Sequence, residues 1–283
     1  MTEQGIDYIN AKAEFADDKS VKFVYKNPMA GAADPGKEYT IKAKNFLIAV
    51  GGRPRQHPDI PADIAITSDD LFSLTTDPGE TLVVGGGYIA VECAGFLNGL
   101  GKKVHLMNRS SFLRAMDFDM AEKIVEELED DGVNTMTKTT IKTARRLENG
   151  RIQVELVVDG SDKTLEVDTV LVAIGRDPNP SAFGAQAAGI NFDERSGKVI
   201  GRDSETERTN LDHVYAVGDC LLGVPELMPV AQRSGKLLAH RLSLRKSGVT
   251  TEDIIMERYR TDYSCIPTTV FSPTEYSFVG LSE

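Results

Sequence analysis

The stretch Thr81-Leu-Val-Val-Gly-Gly-Gly-Tyr-Ile-Ala90 constrains more strongly than any other what this chain can fold into. A short apolar run, Thr81–Val84, meets three consecutive glycines. Helical spacing follows through Val91, Ala94, Gly95, Phe96 and Leu97, and a second strand, Val104–Met107, comes next. This is the order of a β-α-β unit, and Gly85-Gly86-Gly87-Tyr88-Ile89-Ala90 fits G-x-G-x-x-A. Gly85 suits the tight strand-to-helix turn, and Gly87 keeps a Cβ away from an approaching phosphate. Ala90 is small enough for the helix to pack closely on its strand. A helix starting near Gly87 turns unsatisfied N–H groups and a positive dipole end toward the same place.

At the end of the second strand such a site normally carries Asp or Glu, which accepts from the ribose 2′-hydroxyl. Here Asn108, Arg109, Ser110 and then Arg114 stand instead. Surface arginines are most often solvated charges, and it is the position at this strand end that gives these another role. A cationic, donor-rich set suits a 2′-phosphate. The expected nucleotide is NADPH, not NADH.

Composition narrows the alternatives. A net charge of −11 argues against nucleic acid or an anionic membrane as partner. No apolar run approaches membrane-spanning length, and no signal peptide is visible. Cys93, Cys220 and Cys265 are isolated, without C-x-x-C or C-x-x-x-x-C spacing, so neither a disulfide framework nor a metal site is expected. A reducing compartment follows, the cytoplasm, with a mitochondrial address left open.

At 283 residues the chain suits two domains, or a domain with fragments. Residues 8–26 alternate like a β-meander, with a Gly/Ala/Pro/Asp-rich loop at 27–37, and residues 46–50 read as a strand. Thr67-Ser68-Asp69-Asp70 is a helix start. A Pro-rich linker at 54–61 marks a boundary. Residues 117–131 read as a helix stopped by Gly132, and strands are expected at 133–136, 141–147, 152–158 and 165–174. Residues 213–217 form a strand running into Gly218-Asp219, and 225–247 a helix whose Pro229 is tolerated only in a first turn. Two short strands are expected in 267–280.

These motifs together resemble the pyridine nucleotide–disulfide oxidoreductases. Four ordered segments carry the resemblance: Phe46-Leu-Ile-Ala-Val-Gly-Gly-Arg-Pro-Arg55, Val84-Gly-Gly-Gly-Tyr-Ile-Ala-Val-Glu92, Ala173-Ile-Gly-Arg-Asp-Pro-Asn179 and Val214-Tyr-Ala-Val-Gly-Asp219. Within that group the chain is similar to the large thioredoxin reductases, on Ser68-Asp-Asp-Leu-Phe-Ser-Leu74, Glu92-Cys-Ala-Gly-Phe-Leu97, Pro267-Thr-Thr-Val-Phe271 and Gly280-Leu-Ser-Glu283. Glutathione reductase shares the cofactor chemistry and stays an alternative, as does a non-catalytic NADPH-binding module.

The resemblance implies an α/β fold in which a Rossmann-like NADPH domain (54–177) is inserted in an incomplete FAD domain (1–53 and 178–248). The start of an α+β dimerisation domain (249–283) would follow. It implies that Gly85, Gly87, Tyr88, Ile89, Glu92, Arg109, Ser110, Arg114, Gly175 and Arg176 serve NADPH. Tyr88 would be the ring that covers the flavin, and Glu92 the carboxylate paired with a lysine beside flavin N5. Val50, Gly51, Gly218, Asp219, Leu227, Met228, Pro229 and Ala231 would serve FAD, Gly218-Asp219 at the ribityl chain and the 226–231 segment at the ring. A helix start there suits negative charge on a reduced flavin.

Val50 and Met228 stand where the family commonly has Thr, and Asn108 where NAD-dependent relatives have an acid. By the resemblance, the redox cysteine pair lies before this chain's start and the catalytic His beyond Glu283. No catalytic residue is therefore expected here, and the chain alone is expected to be inactive. His57-Pro58 sits in the linker and is not a catalytic candidate. The partners implied for the full-length protein are thioredoxin or a similar disulfide substrate and a second subunit.

Overall fold

The computed structural model describes residues 2–25, 36–178, 180–248 and 252–280. Most of the 27–37 loop, Asn179 and residues 281–283 lie outside the described residues. The chain divides into two units, Met1–Arg53 with Asp177–Tyr263 and Pro54–Arg176 with Ser264–Glu283.

In the second unit the apolar runs become a five-stranded parallel sheet. Its order is Ile66–Thr67, Thr169–Val172, Thr81–Val84, Val104–Met107, Asn134–Met136. Strand alternation sends Val83, Leu106 and Leu171 to one face, where they pack with helices Tyr88–Gly99 and Phe118–Asp130. Leu82, Val84, Met107, Val170 and Val172 face the other way, onto an antiparallel sheet of Thr139–Arg146, Ile152–Val158 and Ser161–Val167. Burial on both faces is why Leu82–Val84 and Val170–Val172 read as continuous apolar runs. Asp117 starts the second helix by accepting from Met120 N at 2.8 Å.

The single strand expected over 165–174 is two strands. The chain leaves the antiparallel sheet after Val167 and enters the parallel one at Thr169. Asp168 marks the change, donating its N–H to the Glu80 carbonyl at 2.8 Å. Polar Glu166, Asp168 and Thr169 alternate with or adjoin apolar residues as in one half-exposed strand, so the pattern alone does not mark the break.

The first unit holds an antiparallel meander, Ala11–Asp17, Ser20–Tyr25 and Glu38–Lys42. Strands Phe46–Ile48 and Val214–Ala216 pair in parallel. Phe15, Ile48, Phe183, Val199, Val214 and Leu221 share its main apolar cluster. Helix Met228–Lys246 packs on Tyr215 and Val217 through Leu238. Its Arg241 is 0% exposed and bonds Glu205 at 2.9 Å, Glu207 at 2.6 Å and the Tyr259 carbonyl at 2.6 Å. Arg245 grips Glu205 at 2.9 Å, and the Tyr263 hydroxyl donates to Glu207 at 2.7 Å.

Residues 249–283, expected as the start of a dimerisation domain, are divided between the two units. Helix Glu252–Tyr259, which had no counterpart in the sequence reading, belongs to the first unit, where Tyr259 stacks on His240 at 5.2 Å. The hairpin of Thr268–Val270 and Tyr276–Phe278 belongs to the second, with Val270 buried in the helix-side cluster. A Cβ on Gly95 would overlap the Pro273 ring, so the hairpin's turn sits directly on helix Tyr88–Gly99.

Candidate cofactor sites

The glycine turn of the second unit is set by close approach. Gly85 has φ +151°, and a Cβ there would run into the Ala173 carbonyl and lie 3.1 Å from the Ala90 Cβ. Ala90 itself is fully buried. The expected contact of helix against strand is thus present, and it needs small residues on both sides. At Gly87 an added Cβ would meet nothing. No side chain caps helix Tyr88–Gly99 there, so its first turn opens onto free space. An uncapped helix start beside an open glycine fits a pyrophosphate.

The strand-end loop completes this surface. Arg109 and Arg114 are exposed, and Ser110 is half-buried between them in sequence. Among the described residues neither guanidinium takes part in an ion pair. Asn108 is held at its backbone by the neighbouring strand, its N–H donating to Met136 O at 2.9 Å. Its side chain turns back on the loop, donating to Ser111 O at 2.7 Å and accepting from Arg109 N at 2.8 Å. The sequence groups Asn108 with the phosphate donors and points to no role for Gly86. A Cβ on Gly86 would collide with the Asn108 amide, so the two belong together. An Asn directly after a strand and before a polar turn was the available signal.

The remaining nucleotide candidates are placed as follows. Tyr88 opens the helix with its ring at the surface, and Ile89 packs partly on the core. Glu92 accepts from Phe271 N at 2.8 Å, tying the terminal hairpin to the helix. Gly175 has φ +118°, and its carbonyl accepts from Arg55 N at 2.9 Å. Arg176 pairs with Asp69 at 2.8 Å. Asp70 accepts from the Thr67 N–H and hydroxyl, which hold its carboxyl below the usual range and start the short helix Ser68–Leu71. His57 is used locally, its Nδ1 accepting from Asp59 N at 3.2 Å, and burial lowers its pKa.

In the first unit the flavin candidates gather at one end of the parallel pair. Phe46–Ile48 leads to Val50-Gly51, and Val214–Ala216 leads to Gly218-Asp219. Gly218 has φ +72°, and a Cβ there would sit 3.1 Å from that of Ala231, bringing the first turn of helix Met228–Lys246 against the glycine. Leu227 is the N-cap, no side chain caps the turn, and Pro229 lies within it as expected. Val50 is 51% and Met228 66% exposed. An open helix start, a half-buried carboxylate at Asp219 and exposed apolar side chains fit a flat ring with a polar edge and a hydroxylated chain. Buried Cys220 lies between the two strand ends. Burial pushes its thiol pKa up, against the pull of the Val50 and Gly51 N–H groups.

Cys93 is likewise buried, its thiol pushed up to about 11, and Cys265 is exposed. A thiol in that state is no nucleophile at neutral pH. Among the described residues no helix is long and apolar enough to cross a membrane, and no group of His, Cys, Asp and Glu could hold a metal ion.

Comparison with known proteins matches the geometry. The family model described as pyridine nucleotide-disulphide oxidoreductase matches residues 1–235. Among solved structures, the Cu(II) complex of a mutant of the HOCl-induced flavoprotein disulfide reductase RclA from Escherichia coli is 26% identical with a TM-score of 0.79. The match covers 98% of this chain and 58% of that one. The Cu(II) complex of the unmutated protein gives 25% identity and a TM-score of 0.77, over 96% of this chain and 56% of that one. The same reductase described without copper, at 24% identity and a TM-score of 0.77, shares the fold over 98% of this chain and 58% of that one. This chain therefore spans less than two thirds of the length of these structures. With its glycine turn, its two uncapped helix starts and this match over most of its length, the chain belongs to the pyridine nucleotide-disulphide oxidoreductase family.

Proposed function

We propose that this chain is the cofactor-handling portion of an NADPH-dependent flavoprotein disulfide reductase of the thioredoxin reductase type. Family membership implies a flavin and a pyridine nucleotide. The choice of NADPH is carried by one observation, the pair of exposed arginines at the end of strand Val104–Met107 that have no carboxylate partner among the described residues. When bound, NADPH supplies a hydride and FAD accepts it. The open turn at Gly85 and Gly87 with the first turn of the helix, Tyr88 and Ile89, holds the pyrophosphate. Arg109, Ser110 and Arg114 hold the 2′-phosphate. Val50, Gly51, Gly218, Asp219 and the 227–231 turn hold the flavin, and the helix start beside it favours negative charge on the ring. The inserted arrangement of the nucleotide domain within the flavin domain belongs to the same proposal.

Two of the three cysteines are buried thiols, and the chain has no C-x-x-x-x-C pair. The third, Cys265, is exposed but has no cysteine at that spacing, and in this reading the disulfide step falls to residues other than these three. Thioredoxin, or a similar disulfide, and a second subunit are the partners of the longer protein in this reading, and its setting is the cytoplasm.

Calorimetric titration with NADPH and NADH tests the reading. Binding should favour NADPH by tenfold or more, since a charge-assisted contact contributes roughly 1.5–3 kcal/mol. Arg109→Ala should remove that preference while leaving NADH binding unchanged. Equal affinity for both nucleotides in the parent protein would overturn it. The chain by itself should not reduce thioredoxin or dithionitrobenzoate with NADPH, and robust turnover would contradict the division of labour.

A further inference from the structure

Between Met107 and the helix at Phe118 the chain makes a loop held from three sides. Asn108 N–H donates to Met136 O at 2.9 Å, and Asn108 O accepts from Thr139 N at 3.0 Å. The Asn108 side chain binds Ser111 O at 2.7 Å and Arg109 N at 2.8 Å. Leu113 donates its N–H to Gly86 O at 2.7 Å. Leu113 is buried and has φ +48°, a left-handed conformation that a leucine holds only where its surroundings impose it. The arginine loop and the glycine turn are therefore joined twice, by the Leu113–Gly86 bond and by the Asn108 amide lying where a Gly86 Cβ would be.

We propose that Asn108 is a positioning residue for nucleotide selection: its amide pins the Arg109–Arg114 loop onto Gly86 and so presets the seat of the 2′-phosphate. This rests on the NADPH reading and deepens it. Both ends of the amide are engaged by the loop's own backbone, so Asn108 acts through Arg109 and Arg114. A carboxylate at this position could still accept from Arg109 N. It could not donate to Ser111 O, and it would set a negative charge beside the phosphate. The same residue would thus hold the loop for NADPH and withhold the acceptor that an NADH site offers its ribose. Gly86 is the other half of the device. Its φ is ordinary, so an alanine there is opposed by the Asn108 side chain, not by the backbone.

The test is a cycle of variants read by calorimetry with NADPH and NADH, and by hydrogen exchange at the amides of Arg109 and Leu113 without nucleotide. Asn108→Ala should weaken NADPH binding about tenfold and leave NADH within twofold, while exchange at both amides accelerates about tenfold. Asn108→Asp, nearly the same size and safe for folding, should lose NADPH affinity at least as much. Gly86→Ala should copy Asn108→Ala, and adding it to Asn108→Ala should cost nothing further. Unchanged selectivity in both Asn108 variants would overturn the proposal, as would fully additive losses in the double variant. Those failures are distinct from failure of the NADPH reading, because Arg109→Ala would still abolish the parent's preference. A parent protein with no preference would remove both.

Discussion

Helix Tyr88–Gly99 sinks Ala90, Val91, Cys93, Ala94 and Leu97 into an apolar layer, whereas helix Met228–Lys246 buries, as its largest hidden side chain, an arginine. Both begin without a side-chain cap beside a glycine turn, and both present that open start to a candidate cofactor. The first is held by area removed from water, which is lost in proportion to the atoms deleted. The second is held partly by Arg241 with Glu205 and Glu207, where removing one member leaves the others charged and buried. One attachment degrades gradually and the other fails at a single residue.

The largest expected effect follows from that contrast. Arg241→Ala should cost the first unit about 3–5 kcal/mol, the usual consequence of breaking a buried pair. Hydrogen exchange of helix 228–246 reads this loss, with the amides of strands 81–84 and 104–107 as the internal control. A loss below about 1 kcal/mol would mean that the cluster is solvated and that the two helices are held alike. Next in size, Leu106→Ala in the apolar layer should cost about 2–4 kcal/mol in the second unit. A series through Val and Ala at this position should fall in steps, and an abrupt collapse at the first step would break the comparison from the other side.

How much of this was legible beforehand follows the same division. Strands 81–84 and 104–107 and the helix between them were plain in the sequence, because burial leaves periodic apolar residues and the turn demands glycine. The end of helix 118–130 was marked by Gly132. The Arg241 cluster was not legible: Glu205 and Glu207 lie 36 and 34 residues away from Arg241, and charged residues carry no mark of which will be buried. The sheet change at Asp168 was hidden for another reason: Glu166, Asp168 and Thr169 fall among apolar residues as the polar positions of one alternating strand would. At the candidate site Arg109 and Arg114 are singled out in the sequence by their position after a strand, which is what the NADPH proposal rests on. The amide that holds their loop is not, because an Asn side chain binding nearby backbone looks the same in sequence as one facing solvent.

Charge also enters the second unit, but at its edge, and acid should show the difference. Glu80 lies 2.9 Å from His105 Nε2, and Lys103 and Arg151 approach at 2.9 and 2.7 Å. The His105 contact foremost, with Lys103 and Arg151, holds its carboxyl at about 2, against an ordinary 4.5. Because the folded value is depressed, the unfolded chain takes up the proton first as pH falls. The stabilisation is complete above pH 4.5 and is lost on descending toward 2. It should be worth on the order of 2–3 kcal/mol. Glu80→Gln should flatten the acid dependence of the second unit's exchange over that range, and an unchanged slope would assign it to other carboxylates.

The smallest effect separates backbone strain from packing within the second unit. Asp159 and Gly160 turn between strands Ile152–Val158 and Ser161–Val167 with φ of +47° and +82°, the two-residue hairpin that favours glycine at its second place. A Cβ on Gly160 meets nothing, so Gly160→Ala tests conformation alone and should cost about 1 kcal/mol. The loss should appear in the antiparallel sheet, whose Val154, Leu156 and Val167 close one face of the parallel strands. It should be absent from helix 228–246, which belongs to the other unit. A cost well above that figure would mean that the turn is packed and not merely strained. Such a result would extend to the hairpin the single-residue fragility that otherwise distinguishes Arg241.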